Sequence, residues 1–84
     1  MRNKESRIYE GKYRKTTDLD LYQLRMYWDG CVKDGYRPDE GILVGKSHSE
    51  DVQRLVTYLN TLCGADGRPY KFTLTTWDAE GISL

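Results

Sequence analysis

The sequence predicts a small two-layer α+β domain, a short β-sheet packed by helices, and three stretches carry that reading. Residues 47–64 place Val52, Leu55, Val56, Leu59, Leu62 and Cys63 in the i, i+3, i+4, i+7, i+10, i+11 series of one helical face. Residues 42–44, Ile-Leu-Val, are unbroken in apolar character, the pattern of a strand covered on both faces. Residues 70–77 alternate: Tyr70, Phe72 and Leu74 point one way and Lys71, Thr73 and Thr75 the other. A period of two in β-forming residues marks a strand. If these two strands are neighbours joined through the helix between them, they run parallel with a right-handed crossover.

Taken in order, the chain opens on a basic segment. Arg2, Lys4, Arg7, Lys12, Arg14 and Lys15 outnumber Glu5 and Glu10, so the first 15 residues are basic and the remainder of a formally neutral chain is acidic. Residues 1–6 are expected to be a flexible arm, and a strand near 7–10 precedes a turn at Gly11. Residues 18–34 read as a helix capped by Thr17, with Asp18 and Asp20 in its first turn and Gly35 at its end. Leu21, Leu24, Trp28, Cys31 and Val32 then share a face. The same stretch also alternates as a hairpin strand ending at the turn pair Asp29-Gly30, and a glycine inside a helix costs about 1 kcal/mol relative to alanine. The cap and the paired acids favour the helix. Pro38 makes residues 36–41 a turn, and a strand near 42–45 follows. The helix over 48–63 is framed by a Ser47/Glu50 capping box and by Gly64 as its left-handed closing residue. Residues 65–69 turn into the strand near 70–77, and Ile82 and Leu84 leave an apolar tail that can pack back.

At 84 residues the chain forms a single domain, 1–84, with a modest core. Hydrophobic content is 38% and mean hydropathy −0.75, yet the apolar residues fall in periodic blocks, which argues against a disordered chain. No apolar signal segment opens it, and no run approaches the roughly 18 apolar residues of a membrane span. Cys31 and Cys63 form no zinc or redox spacing and no disulfide scaffold. A reduced, cytoplasmic protein without metal or cofactor is the expectation.

No catalytic motif stands out. Gly45-Lys46-Ser47 between a strand and a helix has the ending of a phosphate-binding loop, but that loop requires glycine at position 40, which is Glu40. What remains is a helix N-terminus with Lys46, Ser47 and His48 beside it, a candidate anion site. His48, the sole histidine, lies fifteen residues from Cys63. On one helix that is roughly 22 Å at about 1.5 Å per residue, too far for a nucleophile and its base. Asp18, Asp20, Asp29, Asp34, Asp39 and Glu40 make the middle of the chain acidic, with bases interspersed.

The aromatic residues carry the leading expectation. Seven tyrosines and two tryptophans accompany one phenylalanine. Tyr22 and Tyr27 cannot both lie on the buried face of the first helix, and Trp77 falls on the polar side of its strand. Large amphipathic rings left at a surface, with arginine, dominate binding hot spots. Tyr13, Tyr22, Arg25, Tyr27 and Trp77 are therefore the candidate contacts of a small non-enzymatic binding protein that modulates or inhibits a protein partner. Inhibitors encoded by phages or mobile elements, anti-CRISPR and other anti-defence proteins among them, share this size and lack of motifs. The alternative is a nucleic-acid or nucleotide binder that uses the basic arm with Lys46 and His48. An exposed edge strand also admits a homodimer.

Overall fold

The computed structural model describes residues 6–82. Strands and helices run in the order β1 (Arg7–Gly11), β2 (Lys15–Thr16), α1 (Asp18–Lys33), β3 (Glu40–Gly45), β4 (Ser47–His48), α2 (Glu50–Leu59) and β5 (Phe72–Thr76). Five residues of the expected basic arm, 1–5, and Leu84 lie outside the described residues.

β1, β3 and β5 form one sheet in that order, each pair parallel. β3 is central, and Gly41, Ile42, Leu43, Val44 and Gly45 are all buried; of the cover on both faces that its unbroken apolar run predicts, the helices supply one face only. Strand register sorts the side chains into two faces. Ile8, Gly41 and Phe72 stand side by side, as do Glu10, Leu43 and Leu74. Tyr9, Ile42 and Thr73 form a row on the opposite face, followed by Gly11, Val44 and Thr75.

Both helices cover the first face. Leu21, Leu24 and Trp28 of α1 and Val52 and Leu59 of α2 share one cluster with Leu43, Tyr70 and Phe72. Strands added in sequence order across the sheet, each by a right-handed crossover, put every helix on the same side. The second face has no covering layer among the described residues.

The aromatic centre of the core depends on a glycine. Trp28 meets Phe72 edge-on at 5.3 Å between ring centroids and Tyr70 at 5.9 Å. A Cβ at Gly41 would stand 2.9 Å from Phe72 Cδ1, so only glycine lets that ring lie down on the sheet. Arg37 closes the outer side, its guanidinium 5.4 Å from the Trp28 ring centroid and donating to the Pro69 carbonyl at 2.9 Å.

α1 is a helix, and Gly35 ends it with φ of +85°, a conformation that suits glycine. Its start is tied to the loop after β1. The Thr17 N–H donates to Asp20 Oδ2 at 2.9 Å, and Arg14 grips the same carboxylate with a two-pronged pair at 2.8 and 2.9 Å. Lys12 Nζ stands 4.0 Å away. Asp20 is buried, and the Arg14 contact holds its pKa below the ordinary aspartate value.

α2 is shorter than its apolar series suggests. Ser47 and His48 are drawn into parallel pairing with Lys15 and Thr16, so the chain cannot turn into a helix until Ser49. Ser49, not Ser47, is the cap, its Oγ accepting the Val52 N–H at 3.2 Å. The helix stops at Leu59 because Asn60 turns its side chain to β5. Asn60 Nδ2 donates to the Phe72 carbonyl at 3.0 Å, and its Oδ1 accepts the Phe72 N–H at 2.8 Å, imitating a neighbouring strand. Leu62 still packs on the core, but Cys63, expected inside, is exposed, and Gly64 belongs to the turn closed by the Cys63–Pro69 bridge.

The depressed Asp20 pKa fixes a direction. Its stabilisation is full above the ordinary aspartate value of about 3.9 and is lost as pH falls through the lower folded-state value. Asp20→Asn should lower the unfolding free energy at neutral pH by about 1–3 kcal/mol. The gap from wild type should narrow as pH falls below about 4 in urea titrations; a gap independent of pH would contradict the role given to this ion pair.

Candidate binding site at the rim of the sheet

The strands continue past the sheet's C-terminal edge with an irregularity. Gly11 pairs with Val44, and the next pair is Lys15 with Ser47. Residues 12–14 thus stand against only residues 45 and 46, a one-residue bulge. The ladder resumes through the Lys12 N–H to the Val44 carbonyl at 2.9 Å and the Lys46 N–H to the Arg14 carbonyl at 3.1 Å. Bulges bend a strand and re-aim side chains. Here Tyr13 is set beyond the ladder, 71% exposed, and stacks on Trp77 at 5.3 Å with the rings 16° from parallel.

Trp77 folds over the second face of the sheet. Its indole N–H donates to the Lys12 carbonyl at 2.8 Å, and its backbone N–H donates to the Gly45 carbonyl at 3.2 Å. A Cβ on Gly11 would come within 2.9 Å of the indole ring, so glycine there is the seat for Trp77. The chain then turns back, the Ile82 N–H donating to the Trp77 carbonyl at 2.8 Å. Tyr9, Gly11, Val44, Trp77, Glu80 and Ile82 enclose an apolar recess of about 270 Å³ on this bare face. Tyr9 and Ile82 are 55% and 45% exposed at its lip.

Beneath the rim a histidine clamp locks the strand extensions. His48 Nδ1 lies 2.5 Å from Thr16 Oγ1 and Nε2 lies 2.6 Å from the Thr75 carbonyl. A carbonyl only accepts, so Nε2 carries a hydrogen and donates to Thr75. His48 thereby ties β2, β4 and β5 together, and both of its ring nitrogens are occupied.

The sequence-predicted contacts separate in space. Tyr13 and Trp77 come together at the rim. Tyr22 is exposed on the side of α1 opposite the core, and Tyr27 is exposed off that line. Arg25 is turned inward: its guanidinium sits 5.2 Å from the Tyr70 ring centroid, and Nε donates to the Tyr70 hydroxyl at 3.3 Å. That hydroxyl donates to Asp29 at 2.7 Å, and burial together with Asp29 raises the Tyr70 pKa. Lys46 and Ser47 are exposed and precede the start of α2, whose end is capped by Ser49. The acidic residues of the middle segment do not gather either: Asp20 is buried against Arg14, while Asp39 and Glu40 lie at the opposite end of the sheet, bound to Ser6, Arg7 and Thr73.

Sequence reasoning missed Tyr9, Gly11, Val44, Glu80 and Ile82. The signal available was alternation in β1, where Tyr9 is out of phase with Ile8 and so faces away from any helix packed on Ile8. Among the described residues no three His, Cys, Asp or Glu side chains are grouped to hold a metal ion, and no helix is long and apolar enough to cross a membrane. No family model, no curated protein and no solved structure matches this chain.

Gly11→Ala should displace the indole, lowering stability by about 1–3 kcal/mol as an overpacked contact. In proton–nitrogen correlation spectra the Trp77 indole N–H should lose its protection from exchange, while that of core-buried Trp28 keeps it. Unchanged protection of Trp77 would refute the seat assigned to Gly11.

Proposed function

We propose that this chain is a non-enzymatic binding protein that modulates or inhibits a protein partner, and that the recess on the bare sheet face takes the partner's anchor side chain. The recess itself carries the reading. Parallel sheets are ordinarily covered on both faces; here one face holds only Trp77 and the returning tail, among the described residues. The walls are aromatic and aliphatic, with Glu80 the one charged side chain among them. That lining fits an apolar anchor followed by a basic residue that meets Glu80. Hot spots have this form, a large side chain filling a pocket ringed by rigid aromatic groups.

The chain's size and lack of motifs fit the class of small inhibitors encoded by phages or mobile elements, anti-CRISPR and other anti-defence proteins among them, and we place it there as a proposal. A reduced, cytoplasmic setting suits its two free cysteines. One observation favours a second reading, nucleic-acid binding. The bulge brings Arg14 and Lys15 beside Lys46, next to the stacked Tyr13 and Trp77. Arg14 is already committed to Asp20, which leaves Lys15 and Lys46 as that surface's cations.

The test is affinity capture from lysate, run with and without nuclease, using wild type, Tyr9→Ala, Ile82→Asp and the control Tyr58→Ala, an exposed ring on α2. A stoichiometric protein partner should appear with wild type and the control. Tyr9→Ala should weaken that binding by about 30-fold or more, the size of a hot-spot loss of roughly 2 kcal/mol. Partner retention by both recess variants would refute the site. Recovery of nucleic acid alone, released steeply between about 50 and 200 mM salt, would establish the second reading instead.

A further inference from the structure

α1 is apolar on two opposite sides, and only one of them serves the core. Leu21, Leu24 and Trp28 face inward. Leu19, Tyr22 and Met26 follow the i, i+3, i+7 spacing along the reverse side, 70%, 44% and 62% exposed. Together with Gln23 they line a shallow groove. Four residues after Met26 comes Gly30, exposed, with nothing within 4 Å of where its Cβ would be. The monomer therefore gives no packing reason for a glycine inside this helix, where it lowers helix stability. The stripe ends in opposite charges, Asp18 before Leu19 and Lys33 after Gly30, neither with an ion-pair partner among the described residues.

We propose that this stripe is a homodimer interface in which α1 packs antiparallel against α1 of a second copy. A second copy is the occupant that satisfies all of these features at once. With a two-fold axis midway between Leu19 and Gly30, a rise of about 1.5 Å per residue sets Leu19 at the level of the partner's Gly30. The missing Cβ lets the helices approach there and receives the leucine. Tyr22 then lies within about 1.5 Å, along the axis, of the level of the partner's Met26, and Asp18 within about 3 Å of the level of the partner's Lys33. The two ion pairs are related by the symmetry, as an isologous interface requires. Each acidic helix start also meets a basic helix end. The bare sheet face lies on the far side of the sheet from α1, so the dimer leaves the recess free.

Sedimentation velocity from about 1 to 200 µM tests this on the full chain. Wild type should pass from monomer, 9.8 kDa, to a species of twice that mass within the range. Met26→Lys and Gly30→Gln should each raise the dimer Kd at least tenfold, while Tyr9→Ala leaves it unchanged. Gly30→Gln guards against a folding artefact, because glutamine favours the helix; the variant should melt no lower than wild type when both are monomeric. Reversing the charges together, Asp18→Lys with Lys33→Asp, should restore what either change alone removes. A wild type that stays monomeric to 200 µM, or a dimer indifferent to Met26→Lys and Gly30→Gln, would overturn the proposal.

Discussion

The handedness of its crossovers constrains this fold more than any single contact. Three parallel strands are laid down in chain order, so each right-handed connection places its helix on the same side as the last. One face receives the whole aliphatic and aromatic core. Among the described residues the other keeps what the strands themselves supply, Arg7, Tyr9, Gly11, Glu40, Ile42, Val44, Thr73 and Thr75, together with Trp77 and the returning tail. The order β1-β3-β5 also never reverses, so the sheet lacks the switch point at which helices diverge to open a ligand crevice.

The rim shows how local irregularity makes one of those faces specific. One extra residue between Gly11 and Lys15 sets Tyr13 onto Trp77, and a glycine beneath the indole lets it lie flat. The His48 clamp and the Arg14–Asp20 pair hold both sides of the bulge. A regular ladder would have left neither the stack nor the recess.

The sequence disclosed the elements that obey a simple period. Leu43 and its neighbours announced a buried central strand, the alternation through Tyr70, Phe72 and Leu74 announced β5, and Thr17 with Gly35 framed α1. It concealed what depends on partners distant in the chain. The start of α2 was misplaced because Ser47 resembles a cap, and pairing with Lys15 is invisible locally. Its end was misplaced because Leu62 and Cys63 extend the helical period, while Asn60 answers to Phe72 twelve residues on. The recess was hidden for the same reason: Tyr9, Val44, Trp77 and Ile82 are spread along the chain and meet only when the sheet has a bare side. Tyr22 and Tyr27 were legible as exposed rings. That Arg25 turns inward to Tyr70 was not.

The bare face is the claim on which the recess rests, and nuclear Overhauser contacts from assigned methyl groups test it most directly. Leu43 methyls should show contacts to side chains of both α1 and α2, whereas Ile42 and Val44 methyls should reach Tyr9 and Trp77 and no helix residue. Contacts from Ile42 or Val44 to a helix would mean that the second face is covered, and the account of the recess would fall with it.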